Sequence, residues 1–545
     1  MKKAIIIGSG ISGLMCVVRC AELGIHAILV SPLPSERAQS VMAAGGINGV
    51  TEDSEAGDSV ASHIEDTLKS GCSLSGLQAV TGMCSRAGEI LRYLEKIGTV
   101  FSLDAEGRPS RRAFGGQSHK RTYYCGASTG KQIVSALVLE VRRYEAAGMA
   151  ERRLRSSFHS ALIRDGVCYG ALLFDEATRQ LEAVYADALV IATGGQNALF
   201  GKTTGSTLCD GYAAGRLFLQ GAVLKNLEFI QFHPTTLETP EKCMLISEAA
   251  RGEGGRLFCR ENGRDIYFME EKYGEKGNLM TRDVISQEIG ALGGRAFLDI
   301  SFLGEDKIAE RLPEVRDVCA KYGGIDVCRE PIPVRPSVHF FMGGLAVDLR
   351  HETNIRNLFA IGECASMYHG ANRLGGNSLL AALYSGNVAA EEIEGRSSFS
   401  SAPPDFGREL LYERELFTRS QDTKSPFPVM YIRDMLAETM QKHMGIVRNE
   451  KSLKKGLEDI DYYLSVEGRL NYDPSVMPYF NYSLTGILTL ARAAITSALS
   501  RRENRGAHYR SDFPDVSGDY ASASLISYDD GAYSVRLDKE RAYES

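Results

Sequence analysis

Tryptophan is missing from the 545 residues, and the 12 cysteines never fall into a CxxC pair. That scatter leaves no plausible iron–sulfur ligand set and no CxxCH haem attachment, and it reads as reduced thiols in a cytosolic protein. No apolar run reaches ~18 residues, which excludes a transmembrane helix. An excess of positive charge is lacking too. The 62 basic residues face 69 acidic ones, net -7, without long blocks. This argues against nucleic acid and against a basic membrane-binding patch. There is no internal repeat and no low-complexity tract. What remains is the composition of an ordinary soluble globular chain. It is too long for one core, and domains of ~100–200 residues predict about three.

The N-terminus "KAIIIGSGISGLMCVVRCAELG" reads as a buried strand, a tight turn and a helix. Its apolar run superficially resembles a signal peptide, but it ends in a glycine-rich turn with no small-residue cleavage site. Gly8, Gly10 and Gly13 form GxGxxG directly after the strand. The first glycine permits the turn, the second admits a phosphate to the backbone, and the third lets helix and strand pack closely. The helix N-terminus then offers N–H groups and a positive dipole end to a pyrophosphate. Ile11 and Ser12 complete the expected phosphate-binding turn. The acid expected about 20 residues on is missing. Ser31 stands there, so a ribose contact would come from a hydroxyl or from elsewhere.

Two later strands, in "ADALVIATGG" and "IRNLFAIGECA", end in Ala192-Thr193-Gly194 and in Gly362-Glu363. α/β sheets place ligands at such carboxyl ends. These segments favour a flavin over a nicotinamide and imply a dinucleotide domain that is interrupted and then resumed. Between the halves lie small dense clusters holding His233, then Ser247, Glu248 and Arg251, then Arg282 and Asp283, then His339, and finally His369, Arg373, Asn377 and Ser378. Each has a structural explanation by itself; Glu248 and Arg251, for instance, suit a helical (i, i+3) pair. Together they supply histidines and arginines suited to gripping two carboxylates, because the planar guanidinium bonds a carboxylate bidentately.

In order along the chain, "GSGISGL", "AAGGING", "QFHPT", "SEAARGEGG", "TRD", "HFFMGG", "ANRLGGNSL", "MGIVRN" and "RRENRGAHYRSDFP" resemble the flavoprotein subunit of the fumarate reductase and succinate dehydrogenase family, to which L-aspartate oxidase also belongs. The resemblance implies an α/β fold: a Rossmann-like FAD-binding domain (1–235 and 345–398), interrupted by an α+β capping domain (236–344) and followed by a helical C-terminal domain (405–545). It implies FAD contacts from Ser40, Gly45, Gly46, Asp210, Glu363, Arg373, Ser378 and Leu379, beside the turn residues above. His339 and Arg373 would clamp one substrate carboxylate. His233 and Ser247 would clamp the other, although the family more often has Thr at the latter position. Arg282 matches the proton donor, and Glu248 and Arg251 match its relay. The implied activity is reduction of fumarate to succinate.

Two positions bear on which family member this is. The loop "AFGGQSHKR", read as polar, flexible and basic, carries one ring, Phe114, where aspartate oxidases have a glutamate that meets the substrate's amino group. An apolar ring cannot pair an ammonium, and a buried unpaired charge is expensive. Phe114 is therefore expected to be a wall against aspartate. In "RAQSVMAAGG" the position of the usual FAD-bonding histidine is Gln39, which predicts non-covalent FAD and a lean towards fumarate reduction. The resemblance further implies an iron–sulfur protein subunit, with a membrane anchor subunit as a further partner, and hence a cytoplasmic protein peripheral on the inner face of the membrane. An L-aspartate oxidase and a non-catalytic flavin electron-transfer subunit are the alternatives.

Overall fold

Five parallel strands make the central sheet of the computed structural model, in the order Leu358–Ala360, Ala188–Ile191, Lys3–Ile7, His26–Ser31 and Ala150–Leu154. The structure describes residues 1–126, 128–293, 295–399, 402–420, 428–467, 469–470 and 472–538. Helices Ile11–Glu22 and Thr129–Ala146 pack on one face of the sheet, and the antiparallel sheet of Ser156–Arg164, Val167–Asp175 and Gln180–Tyr185 packs on the other. The inner strands Lys3–Ile7, His26–Ser31 and Ala188–Ile191 are thus covered on both sides and read as apolar runs. Helix Ile11–Glu22 packs on Thr129–Ala146 and on Asn377–Gly395, and ten of its twelve residues are buried. The strand Leu358–Ala360, far down the chain, completes the sheet beside Ala188–Ile191. The interrupted and resumed FAD-domain architecture is thus present.

The interruption is a six-stranded sheet in the order Cys243–Leu245, Ile230–Glu238, Ile332–Phe341, Ala296–Asp299, Arg256–Glu261 and Arg264–Ile266, antiparallel throughout. It has its own apolar core, which includes Ile246, Leu257, Met269, Ile285, Leu298 and Ile332. The border expected at 235/236 falls inside the strand Ile230–Glu238, and the one at 344/345 falls inside Gly344–Ala346.

The last part carries helices Gly407–Ser420, Val429–His443, Glu450–Glu467, Pro478–Tyr482 and Leu484–Ser500. Leu484–Ser500 lies on Tyr212–Leu219 at a glycine-to-backbone contact: a Cβ on Gly215 would stand 1.9 Å from the Gly486 carbonyl. Beyond the helices the chain returns as a hairpin, Ser524–Asp529 with Ala532–Leu537, which pairs with Leu224–Lys225. The expected helical domain therefore ends in strands. Parts of its expected range (421–427, 468, 471 and 539–545) lie outside the described residues. Among the described residues no helix is long and apolar enough to cross a membrane.

Candidate active site

A cavity of about 280 Å³ runs from the first βα turn to the junction with the inserted sheet. At one end are Gly8, Gly10 and Ser12. Gly8 holds φ +113°, and a Cβ there would lie 2.3 Å from the Ala192 carbonyl. Only glycine accepts both conditions. Gly13 packs against Gly8 rather than facing the cavity, with a virtual Cβ 1.9 Å from its carbonyl. The Ile11 N–H donates to Ser40 Oγ at 3.1 Å, which ties the helix start to the 39–46 segment. The N-cap residue of helix Ile11–Glu22 is Gly10, which has no side chain to cap the N–H groups that follow Ile11. The turn, the uncapped helix end and the glycine clearance fit a pyrophosphate.

Ser31 lines the same end. Its hydroxyl donates to the Leu33 carbonyl at 2.7 Å and accepts from Ser9 at 2.9 Å. Ala192, Thr193, Gly194, Asp210, Glu363, Ser378 and Leu379 line the walls, as do Gln39, Ser40, Gly45 and Gly46. Asp210 is already engaged: it accepts from the Tyr212 N–H (3.0 Å), the Tyr479 hydroxyl (2.7 Å) and Arg433 (3.4 Å). Tyr479 comes from the C-terminal helices, and nothing in the sequence marked it. Burial pushes the Glu363 carboxyl up to about 7; the Phe341 N–H, which donates to it, and Arg373 oppose that rise. Ile11, Gly13 and Arg251 are the expected site residues that do not line the cavity.

The other end gathers His233, Ser247, Glu248, Arg282, His339, Arg373 and Phe114. These come from the inserted sheet, the helix starts beside it, the resumed domain and the opening loop. The two imidazoles meet edge to face at 5.3 Å. Nδ1 of His233 lies 3.1 Å from the Thr235 carbonyl, and Nδ1 of His339 lies 2.9 Å from Thr204 Oγ1. Burial and then the nearby guanidinium of Arg282 hold both rings well below the ordinary histidine range, so both are neutral at pH 7. Burial holds His369 at about 3 as well; it lies outside the cavity and meets the Phe340 ring edge to face at 5.2 Å.

The charge balance is positive. Glu248 Oε2 accepts from Arg282 Nε at 2.9 Å and Nη2 at 2.8 Å, while its Oε1 accepts the Gly115 N–H at 2.9 Å. Burial alone would raise its pKa; Arg282, Arg251 and that N–H outweigh it and hold the carboxyl at about 2. Arg251 is fully buried behind it, bonded to the Asn278 carbonyl and 3.8 Å from Glu248. Its Nε has no hydrogen-bond partner among the described residues, and its Nη2 has only the 3.8 Å ion-pair contact to Glu248. Arg373 lies over the Phe340 ring at 4.4 Å, and its Nε lacks a partner as well. Burial and the neighbouring Arg282 bring it down to about 9, so it is still charged at pH 7. Three guanidinium groups thus converge on the ionised carboxylate of Glu248 beside neutral imidazoles, with Glu363, at about 7, close enough to act on Arg373. A buried cation excess of this kind is complementary to a small anion.

Sequence reading singled out His233 in "QFHPT" and passed over Gln231. Its Oε1 accepts from both Arg373 (2.9 Å) and Arg282 (3.2 Å), and its Nε2 donates to Asn372 Oδ1 (2.7 Å) and the Arg373 carbonyl (2.8 Å). The signal was present, since Gln231 and His233 share one face of a strand by their i, i+2 spacing.

The loop 113–121 is pinned rather than flexible. Arg121 is fully buried between Asp58 (2.8 Å) and Asp66 (2.7 Å). Asp66 also accepts the N–H and hydroxyl of Ser118, both at 2.8 Å. Phe114 is 6% exposed; its ring lies between Gly45 and Gly375, where virtual Cβ atoms would stand 3.4 Å from Cζ and 3.1 Å from Cδ2.

A dinucleotide-binding parallel sheet with an inserted cap and a cationic cavity at their junction describes a flavin-dependent oxidoreductase. In agreement, residues 3–379 match the model of an FAD binding domain, and residues 433–543 match the C-terminal model of the fumarate reductase flavoprotein. The chain is 35% identical to the succinate dehydrogenase flavoprotein subunit of Bacillus subtilis, over 94% of this chain and 92% of that one. It is 34% identical to the 8-methylmenaquinol:fumarate reductase flavoprotein subunit of Wolinella succinogenes, over 93% and 85%. Its structure is similar to FrdA of the E. coli quinol fumarate reductase, with a TM-score of 0.90, 27% identity and coverage of 98% and 97%. The chain belongs to the family of fumarate reductase and succinate dehydrogenase flavoprotein subunits, FAD-dependent oxidoreductases.

Proposed function

We propose that this protein reduces fumarate to succinate. The supporting observation is the cation excess at this end of the cavity: Arg282 and Arg373 line it and Arg251 stands behind Glu248, against the ionised carboxylate of Glu248 and Glu363 at about 7, with His233 and His339 neutral. A dianion of four carbons offsets that excess. Arg373 and His339 hold one carboxylate; His233 and Ser247 hold the other. FAD, when bound, supplies the hydride. Gly8, Gly10, Ser12, Ser40, Gly45, Gly46, Glu363, Ser378 and Leu379 would hold it. Arg282 gives its proton to the other alkene carbon, and Glu248, 2.8 Å away, returns one to the guanidinium. Arginine is a weak acid, but a carbon gaining carbanion character is a strong enough base to take its proton. Arg251 feeds Glu248 across the 3.8 Å gap once the groups shift by a fraction of that distance. The cap excludes water, which strengthens each of these charge interactions.

Phe114 excludes aspartate, because its ring would leave the ammonium unpaired. Gln39 lines the cavity and donates to the Thr204 carbonyl at 3.4 Å. A carboxamide forms no bond to FAD, so the flavin is held without a covalent link, and its potential favours giving electrons away. Electrons reach it from an iron–sulfur partner subunit, with a membrane anchor placing the assembly at the inner face of the cell membrane; relatives named as subunits support this reading. The test is turnover of the purified yellow protein. Reduced viologen should be oxidised by fumarate, aspartate with oxygen should give no reaction, and acid precipitation should leave the flavin in the supernatant. Aspartate oxidation without fumarate reduction would overturn the proposal.

A further inference from the structure

The ring of Phe114 is set by its backbone, and that backbone is held by Gln117. The two residues close a turn, with the Gln117 N–H donating to the Phe114 carbonyl at 3.2 Å and Gly116 at φ +83° in the position that calls for positive φ. The Gln117 side chain folds back into the same turn. Its Oε1 accepts the Phe114 N–H at 3.1 Å. Its Nε2 lies 3.0 Å from each of Asn48 Oδ1, Thr122 Oγ1 and the Gly375 carbonyl. A carboxamide nitrogen has two hydrogens, so these three acceptors share them. The backbone partners, an N–H at one end and a carbonyl at the other, fix which way the amide points.

The acceptors are themselves held by further hydrogen bonds. Asn48 is fully buried; its Nδ2 donates to the Gly375 carbonyl at 2.8 Å and to Asn377 Oδ1 at 2.7 Å, and Thr122 donates to its Oδ1 at 2.6 Å. Asn377 continues to Thr67 (2.9 Å) and His63 (2.9 Å) on helix Val60–Ser70. Gly375, whose carbonyl anchors the amide, is also the residue against which the Phe114 ring packs. One side chain therefore ties the backbone of the ring to the wall on which the ring rests. Buried networks of this kind are costly to leave half satisfied.

We propose that Gln117 is a positioning residue that sets substrate specificity through Phe114. Its carboxamide holds the ring against Gly45 and Gly375, and so fixes the width of the slot for the diacid. This rests on the function proposed above for the same cavity. Gln117 touches no reacting atom, so its removal should act on fit rather than on chemistry.

The experiment is a double-mutant cycle between Gln117→Leu and Phe114→Ala. It is read as the ratio of kcat/KM for fumarate to that for methylfumarate, the same diacid with one added methyl. Gln117→Leu alone should lower that ratio about tenfold, mainly through the KM for fumarate, and should add little in the Phe114→Ala background because coupled residues are non-additive. Gln117→Glu keeps the acceptor for the Phe114 N–H but has no N–H for the Gly375 carbonyl, and should fall between. Independent, multiplicative effects, or an unchanged ratio with only a lower melting temperature, overturn the inference. If the wild type reduces neither diacid, the failure is that of the proposed function. Hydrogen exchange then decides on Gln117: amides of 114–118 should exchange faster in Gln117→Leu, and unchanged exchange overturns the inference.

Discussion

Replacing Arg373 by methionine should make the protein more stable while destroying its grip on a dicarboxylate. Burial and Arg282 bring this guanidinium from its ordinary value to about 9. At ~1.4 kcal/mol per pH unit, that displacement corresponds to roughly 4–5 kcal/mol opposing the buried charge. The folded state disfavours the charged form, so the penalty is present at pH below about 9 and fades above it. Two contacts offset part of it: the charged hydrogen bond to Gln231 at 2.9 Å and the Phe340 ring at 4.4 Å. Together these are worth roughly 3 kcal/mol. Methionine fills most of the same volume without a charge. The net expectation is a gain of about 1–2 kcal/mol, or on the order of 1–2 °C in melting temperature for a chain of this length. Scanning calorimetry at pH 7, with and without succinate, is the assay. Succinate at about 100 Kd should stabilise the wild type by roughly 2.7 kcal/mol and the variant not at all. A ligand-free variant that melts below the wild type would refute the reasoning about buried charge. A variant that still responds to succinate would refute the clamp.

Glu248→Gln should lower kcat by roughly 10³-fold, since the proton path through Arg282 is cut, and should destabilise the protein by about 3–5 kcal/mol by leaving Arg251 uncompensated. Because the folded carboxyl sits at about 2, its contribution is complete above the ordinary carboxylate range and is lost as pH falls towards about 2. The acid limb of the wild-type stability curve should flatten in the variant; equal acid sensitivity in melting scans would refute this. Gly8→Ala places a Cβ 2.3 Å from a backbone carbonyl at φ +113°, and the purified protein should lose its 450 nm flavin absorbance. Full flavin occupancy in that variant would show that the turn tolerates the clash.

Local sequence carried a large part of this structure. The run Ala4–Ile7 followed by Gly8, Gly10 and Gly13 dictates strand, turn and helix, because the backbone chemistry of that turn is decided within a few residues. The parallel sheet and the split of the first domain followed from two further apolar strands that end in glycine or acid. The motif order also pointed to the residues gathered at the cavity, since each lies in a short segment with unusual density of charged and small residues. What the sequence could not determine lies between segments. Gln231 bonds two arginines that lie 51 and 142 residues away, and the neutrality of His233 and His339 and Glu363 at about 7 depend on burial and on neighbours brought in from other elements. The closing hairpin on Leu224–Lys225 and Tyr479 at the cavity wall are likewise pairings across hundreds of residues. A loop that reads as polar and basic becomes a rigid wall because Arg121, Ser118 and Gln117 find buried partners elsewhere. Propensity and spacing act along the chain. Desolvation and charge pairing act through space, and only the folded chain decides which groups share that space.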